Sequence, residues 1–291
     1  MMDHKQYLKI FIQYIINKIL TIIMKKIIII LLVFIIILYT CYIEHMSSDI
    51  ISKNNKALCL ITLRPNILWC EFLNKFNIYD IYIIIDDNNF DYNELQTLYS
   101  NIKFIKISDN ECLKHGFIDS SFTINKLISG WDKGLLYFST ININYDYVWF
   151  MEDDVYFYDE NTLINLDNKY PKYDLLSNNI DENSNGDKHY WHWYRINISD
   201  YTPPYYNGMM CCIRVSKLLL ESIKIYANKH NTIFFLEAFI PTIAIKNNLL
   251  LYHPEELNEI HYRYQFEKDN ITPFKIYHPV KNIDDHYIFR N

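Results

Sequence analysis

Three acidic residues in a row, Glu152-Asp153-Asp154, follow directly on the apolar string Tyr147-Val148-Trp149-Phe150-Met151. Carboxylates at the end of a buried strand are costly unless something cationic compensates them. Their hard oxygens suit Mn²⁺ or Mg²⁺, and such an ion neutralises the charge that develops on a diphosphate leaving group. The plain alternative for an acidic run is a solvated strand end. A second acidic strand end favours a site: Asp80–Ile85 (DIYIII) runs into Asp86-Asp87-Asn88-Asn89, a turn composition.

Other residues offer further chemistry. Glu237 is one acid in the apolar stretch Phe235-Leu236-Glu237-Ala238-Phe239. Burial raises a carboxyl pKa, which suits a general base for an acceptor hydroxyl; the competing reading is a helix N-terminal carboxylate stabilised by the dipole. Trp191, His192 and Trp193 form an aromatic group that reads either as a platform for a sugar ring or as an ordinary core cluster. Asn207-Gly208 reads as a close backbone approach to a ligand or as a plain turn. Cys211-Cys212 read as small hydrophobes of a buried strand.

These residues need a scaffold, and the apolar runs supply one. Ala57–Leu63, Asp80–Ile85, Ile102–Ile107 and Tyr147–Met151 read as strands, with helical spacing over 67–76 and 121–138 between them. This order predicts an α/β fold, a mostly parallel sheet covered by helices on both faces. In such sheets ligands bind beyond the carboxyl ends of the strands, where both acidic clusters fall. Further on, a short strand at 173–176, a polar loop at 178–187, a strand at 209–215 and helices at 216–229 and 234–246 are expected, with Pro241 in a first turn or at a kink.

The 291 residues carry a formal net charge of −6, which gives no global attraction to nucleic acid, and nucleic-acid binding is not expected. The six cysteines show no C-x-x-C spacing, so a structural zinc site is not expected; a disulfide among Cys59, Cys70 and Cys112 stays open. Residues 27–43 (IIIILLVFIIILYTCYI) are apolar on all faces and sit at the lower end of bilayer-spanning length. Lysines precede them and acids follow, so the positive-inside rule predicts an anchor in the lipid bilayer with residues 1–26 cytosolic. The competing reading is a cleaved signal peptide starting at Met24. Residues 44–56 read as a short stem and 57–291 as the catalytic domain.

Here the sequence resembles a family. The string Tyr147–Val155 looks like the D-x-D region of GT-A fold glycosyltransferases in an E-D-D form, and ALCLITLRP (57–65) resembles their first strand and Arg-Pro turn. The resemblance implies that Asp154 ligates the metal, with Glu152 and Asp153 nearer the ribose or the second shell and Asp153 a further ligand candidate. It sets Asp86 or Asp87 on the nucleoside, and Lys133 of the segment 128–134 toward the donor. His278 resembles the C-terminal histidine that supplies a third metal ligand, with His286 as competitor, and Lys281 then meets the diphosphate. Glu237 resembles the acid at the start of a helix after the acceptor loop in inverting members. The anchor and stem suit single-pass type II members facing the Golgi or ER lumen. The expected activity is transfer of a hexose or N-acetylhexosamine from a UDP- or GDP-sugar to a glycan or glycoprotein hydroxyl. The rivals are a metal-dependent phosphohydrolase and a non-catalytic lumenal protein that binds glycan or nucleotide.

Overall fold

The computed structural model describes residues 55–121, 126–198 and 200–290, together with Lys18 and Met24. The chain divides into two compact units, Met1–Lys53 and Asn54–Asn291. The expected anchor at 27–43 and most of the expected stem lie outside the described residues. Among the described residues, no helix is long and apolar enough to cross a membrane.

The elements run β1 (Lys56–Thr62), α1 (Ile67–Leu73), β2 (Asp80–Ile85), α2 (Asn93–Leu98), β3 (Ile102–Lys106), α3 (Asp109–His115), α4 (Gly130–Leu136), β4 (Tyr147–Glu152), β5 (Tyr156–Phe157) and α5 (Glu160–Lys169). They continue with β6 (Leu175–Asn183), β7 (Tyr205–Ser216), α6 (Lys217–His230), α7 (Leu236–Lys246), β8 (Leu251–Tyr252), β9 (Glu259–Ile260), β10 (Ile276–His278) and α8 (Ile283–Arg290). A seven-stranded sheet has the order β3-β2-β1-β4-β7-β6-β8, and a small second sheet has the order β5-β10-β9. Strands β3, β2, β1 and β4 are parallel neighbours, while β7 runs antiparallel to both β4 and β6. The fold is therefore α/β, with a mixed and mostly parallel sheet.

The apolar runs are unbroken because both faces of the sheet are covered. Successive residues of β1 point to opposite faces. Ala57, Cys59 and Ile61 join one core with Trp131 and Leu135 of α4 and Phe239 of α7. Leu58 and Leu60 join the other, with Trp69 and Leu73 of α1 and Leu163 of α5. Burying each such Leu, Ile or Phe side chain contributes about 1.5–3 kcal/mol.

Three expectations change. The polar loop expected at 178–187 is largely strand, since β6 extends to Asn183 by pairing with β7 through two register shifts. Bulges let a polar segment stay in a ladder while its side chains turn outward. The helix expected over 121–138 begins only at Gly130, where Ser129 caps it and Asp132 completes the capping box; a π-helical turn at Tyr137–Ile141 follows. Pro241 lies inside α7 beyond its first turn, which removes the first of the two placements expected for it. No disulfide forms among the described cysteines: Cys59, Cys70, Cys112, Cys211 and Cys212 are all free and buried.

Candidate functional site

Strand β4 delivers Glu152 at its last position, and the next turn carries Asp153 and Asp154. Strand β10 enters from the small sheet and brings His278 opposite them. His278 Nε2 lies 3.3 Å from Asp154 Oδ1 and 3.9 Å from Glu152 Oε2. One ligand atom from each of Glu152, Asp154 and His278 falls within a 4.8 Å group. Such a group can hold a divalent cation.

The surroundings of each ligand fit that use. His278 Nδ1 is 2.8 Å from the carbonyl of His261. With its proton donated there, Nε2 keeps a lone pair facing the carboxylates, the arrangement that orients metal-binding imidazoles. Asp154 Oδ1 is buried with no hydrogen-bond partner. A buried carboxylate oxygen that makes no hydrogen bond and has only the 3.3 Å approach of His278 Nε2 is costly unless a cation meets it. Glu152 Oε1 accepts from Trp131 Nε1 at 2.7 Å, which leaves Oε2 toward His278. The Glu152 side chain is 38% accessible, yet it sits between the walls of a cleft. Enclosure there raises its pKa, the indole hydrogen bond opposes the rise and the Asp154 charge adds to it. Burial acts to lower the His278 pKa, but the adjacent Asp154 and Glu152 carboxylates outweigh it and hold it above the usual histidine range.

This group opens into a cleft of about 650 Å³ at the C-terminal edge of β4, also lined by Glu237, Lys281, Trp191 and Asn207. Glu237 stands in the first turn of α7. Burial first, then the negative charge of Glu152, pushes its pKa up to about 7. A carboxyl poised near neutrality can accept a proton from a hydroxyl.

The remaining expected residues part company. The expectation set Glu152 and Asp153 nearer the ribose or the second shell, with Asp153 a further ligand candidate; the candidate metal group takes in Glu152 and leaves out Asp153. Asp153 turns toward the end of β1, where Thr62 Oγ1 donates to Oδ2 at 2.5 Å, and its carbonyl accepts from Trp69 Nε1. Lys133 stands apart from the cleft lining. It is fully buried, with its ammonium between the Asp86 carbonyl (2.7 Å), Asp86 Oδ1 (3.0 Å), Asn88 Oδ1 (3.2 Å) and Asp109 Oδ1 (3.2 Å). A buried ammonium survives only with such compensation, so its charge is already committed to the protein. Asp86 is thus clasped by Lys133 and by Lys126, 2.7 Å away. Asp87 accepts from the Asn89 amide and from Arg64 Nε, and the two hold its pKa below the ordinary value. Both acids stand at the same sheet edge as Glu152 because β2, β1 and β4 are parallel, but β1 separates them and neither lines the cleft. Gly130 sets the spacing between, because a Cβ there would stand 2.6 Å from Ile61 Cγ2 and push α4 off the sheet. His286 lies elsewhere: Nε2 meets the carbonyl of Val280, and burial lowers its pKa to about 4. Lys281 is exposed at the cleft rim.

Sequence reasoning missed three supporting residues: Thr62, Trp131 and Asp132. Asp132 is fully buried and accepts from the hydroxyls and amides of both Ser120 and Ser129, and desolvation pushes its pKa up to about 6. The Ser129-x-x-Asp132 spacing is a capping-box signal that could have found it. Trp131 follows from the cap, since the helix start aims its indole at Glu152.

No protein-family profile matches the chain, and no curated protein matches it. Solved structures do. One is 4-diphosphocytidyl-2C-methyl-D-erythritol synthase from Anaerococcus prevotii, at 12% identity and TM-score 0.39, over 69% of this chain and 90% of that one. Another 4-diphosphocytidyl-2C-methyl-D-erythritol synthase matches at 8% identity and TM-score 0.38, over 68% and 88%. Mouse xyloside xylosyltransferase 1, in its apo form, matches at 12% identity and TM-score 0.38, over 77% and 97%. Likeness at this level decides neither ligand nor reaction, and the functional reading rests on the cleft itself.

Proposed function

We propose that this chain is a glycosyltransferase that takes a sugar from a UDP- or GDP-sugar and passes it to a hydroxyl of a glycan or glycoprotein. The observation that carries the reading is the Glu152–Asp154–His278 group, with a buried carboxylate oxygen that makes no hydrogen bond, on the wall of a cleft that also holds Glu237. A divalent ion, Mn²⁺ or Mg²⁺, would be held by those three side chains and would supply charge neutralisation to a leaving diphosphate. Trp131 fixes the Glu152 carboxylate, and the His261 carbonyl fixes the His278 ring. Lys281 at the rim adds a positive charge for the diphosphate. Glu237 takes the proton from the attacking hydroxyl if the reaction inverts, and has no assigned role if it retains configuration. Asp86 and Asp87 are left for the nucleoside, reached from the same sheet edge, and Lys133 and Lys126 position Asp86. An N-terminal anchor that holds the domain at a lumenal membrane face is part of the same proposal and rests on the composition of residues 27–43.

The test is a thermal-shift screen of nucleotide-sugars with and without Mn²⁺. Metal-dependent stabilisation by one nucleotide class is expected, about 2.7 kcal/mol at a hundredfold excess over Kd. Stabilisation by no nucleotide, or metal-dependent cleavage of simple phosphoesters without a sugar acceptor, would point instead to the phosphohydrolase.

A further inference from the structure

The wall of the cleft built by β6 and β7 has features that the metal group and Glu237 do not use. Trp191 adopts a positive φ of 49°, a conformation that costs a bulky residue on the order of 1–3 kcal/mol and persists only where its surroundings impose it. Its ring packs with Trp193 at 5.0 Å between centroids, His192 at 5.2 Å and Phe235 at 5.6 Å, and it lines the cleft together with His192 and Phe235. Asn207 lines the same cleft, is 8% exposed, and its Oδ1 is buried without a hydrogen-bond partner. The second bulge of β6 turns Asn179, at φ 48°, and Asp181 into the cleft beside it. Gly208 permits this approach: a Cβ there would stand 3.0 Å from the Asn178 carbonyl oxygen and 2.9 Å from Met210 Cε.

From these residues we infer that the β6–β7 wall is an acceptor subsite for a neutral pyranose ring, with Trp191 as its stacking face and Asn207 as a hydrogen-bond partner for a ring hydroxyl. A pyranose offers a C–H face to an aromatic plane and hydroxyls around its edge. The unpartnered amide oxygen of Asn207 and the carboxylates of Asp181 and Glu237 accept such hydroxyls. The Asp181 carboxylate disfavours a phosphate or sulfate group on a ring seated at this wall. The inference rests on the transferase reading for its role and narrows the acceptor from any hydroxyl to a sugar ring.

Saturation-transfer NMR on the full chain with diamagnetic Mg²⁺ and UDP or GDP separates the two. The probes are methyl β-galactopyranoside, methyl β-glucopyranoside, methyl α-mannopyranoside and a seryl peptide. Saturation is expected on the C–H protons of at least one pyranoside, with affinity about tenfold weaker in Trp191→Ala, about the worth of one stacking contact. Trp191→Phe restores most of it. Metal-dependent stabilisation by the nucleotide, unchanged in both variants, reports that they are folded. Binding of no pyranoside, binding equally tight in Trp191→Ala, or binding of the peptide alone overturns the subsite. Loss of the transferase reading shows separately, as wild-type protein that gains no stability from Mn²⁺ with either nucleotide.

Discussion

Two clusters of polar groups sit in the same sheet, one toward each end of β4, and they are built on opposite principles. At the lower end Asp167 of α5 is buried among partners that use nearly every lone pair. Arg214 Nη1 is 3.0 Å away, Lys56 Nζ 3.1 Å, the Tyr79 hydroxyl 2.6 Å and Trp149 Nε1 3.1 Å. Arg214 also donates to the carbonyls of Tyr170 and Tyr173, and of this cluster's charged atoms its Nε is the one buried without a hydrogen-bond partner among the described residues. At the upper end Glu152, Asp154 and Glu237 share one histidine, Asp154 Oδ1 has no hydrogen-bond partner, and both glutamates have raised pKa values. Charge that is matched inside the protein stabilises a fold; charge left unmatched at a cleft waits for a ligand. The contrast is what singles out the upper cluster for the function proposed above.

The comparison breaks most visibly through Arg214. Arg214→Met should leave Asp167 partly uncompensated in the core and cost about 3–5 kcal/mol, seen as a fall in the midpoint of urea unfolding. Asp154→Asn should do the reverse: stability without metal unchanged or slightly higher, while the roughly 2.7 kcal/mol gained with saturating Mn²⁺ and nucleotide disappears. If Asp154→Asn destabilised the metal-free chain as strongly as Arg214→Met, the two clusters would be alike and the comparison would fail.

Glu237 sharpens it further. Glu237→Gln should reduce transfer about 10²- to 10⁴-fold in steady-state assays while leaving metal-dependent nucleotide binding in place, if the reaction inverts. A base with a pKa of about 7 predicts kcat that rises with pH and levels off above neutrality. The stability effect has the opposite sign. The folded state holds the Glu237 proton to higher pH than the unfolded chain does, so its contribution falls as pH rises from about 4.5 to 7. Glu237→Gln should therefore raise the melting temperature at pH 8 and leave it unchanged at pH 4. The smallest effect is expected at Trp131: Trp131→Phe removes the hydrogen bond to Glu152 and should weaken Mn²⁺ binding within the 10- to 100-fold range of supporting partners, as read by calorimetry.

Much of this arrangement was legible in the residues, and the illegible part has physical causes. The apolar runs at 57–63, 80–85 and 147–151 announce strands covered on both faces, and their order announces a parallel sheet. The acidic run could be placed at a strand end. Which of its members faces the cleft could not, because that depends on the turn after β4 and on the Thr62 hydroxyl that captures Asp153. Lys133 was singled out by resemblance; only the fold shows three residues closing on its ammonium. The second half of the sheet was harder to read, because β6 is polar and bulged and shows no apolar alternation. His278 could be singled out only by resemblance, since its partners are more than a hundred residues away in the chain.

The central claim is that Glu152, Asp154 and His278 together hold one divalent cation that draws a nucleoside diphosphate into the cleft. The direct measurement is a titration of Mn²⁺ by electron paramagnetic resonance, with and without UDP or GDP, on the wild-type chain and on Asp154→Asn. The account predicts one bound Mn²⁺ per wild-type chain, tighter when the right nucleotide is present, and none at the same concentration in Asp154→Asn. Free Mn²⁺ throughout the wild-type titration, or equal binding by the two proteins, would contradict it.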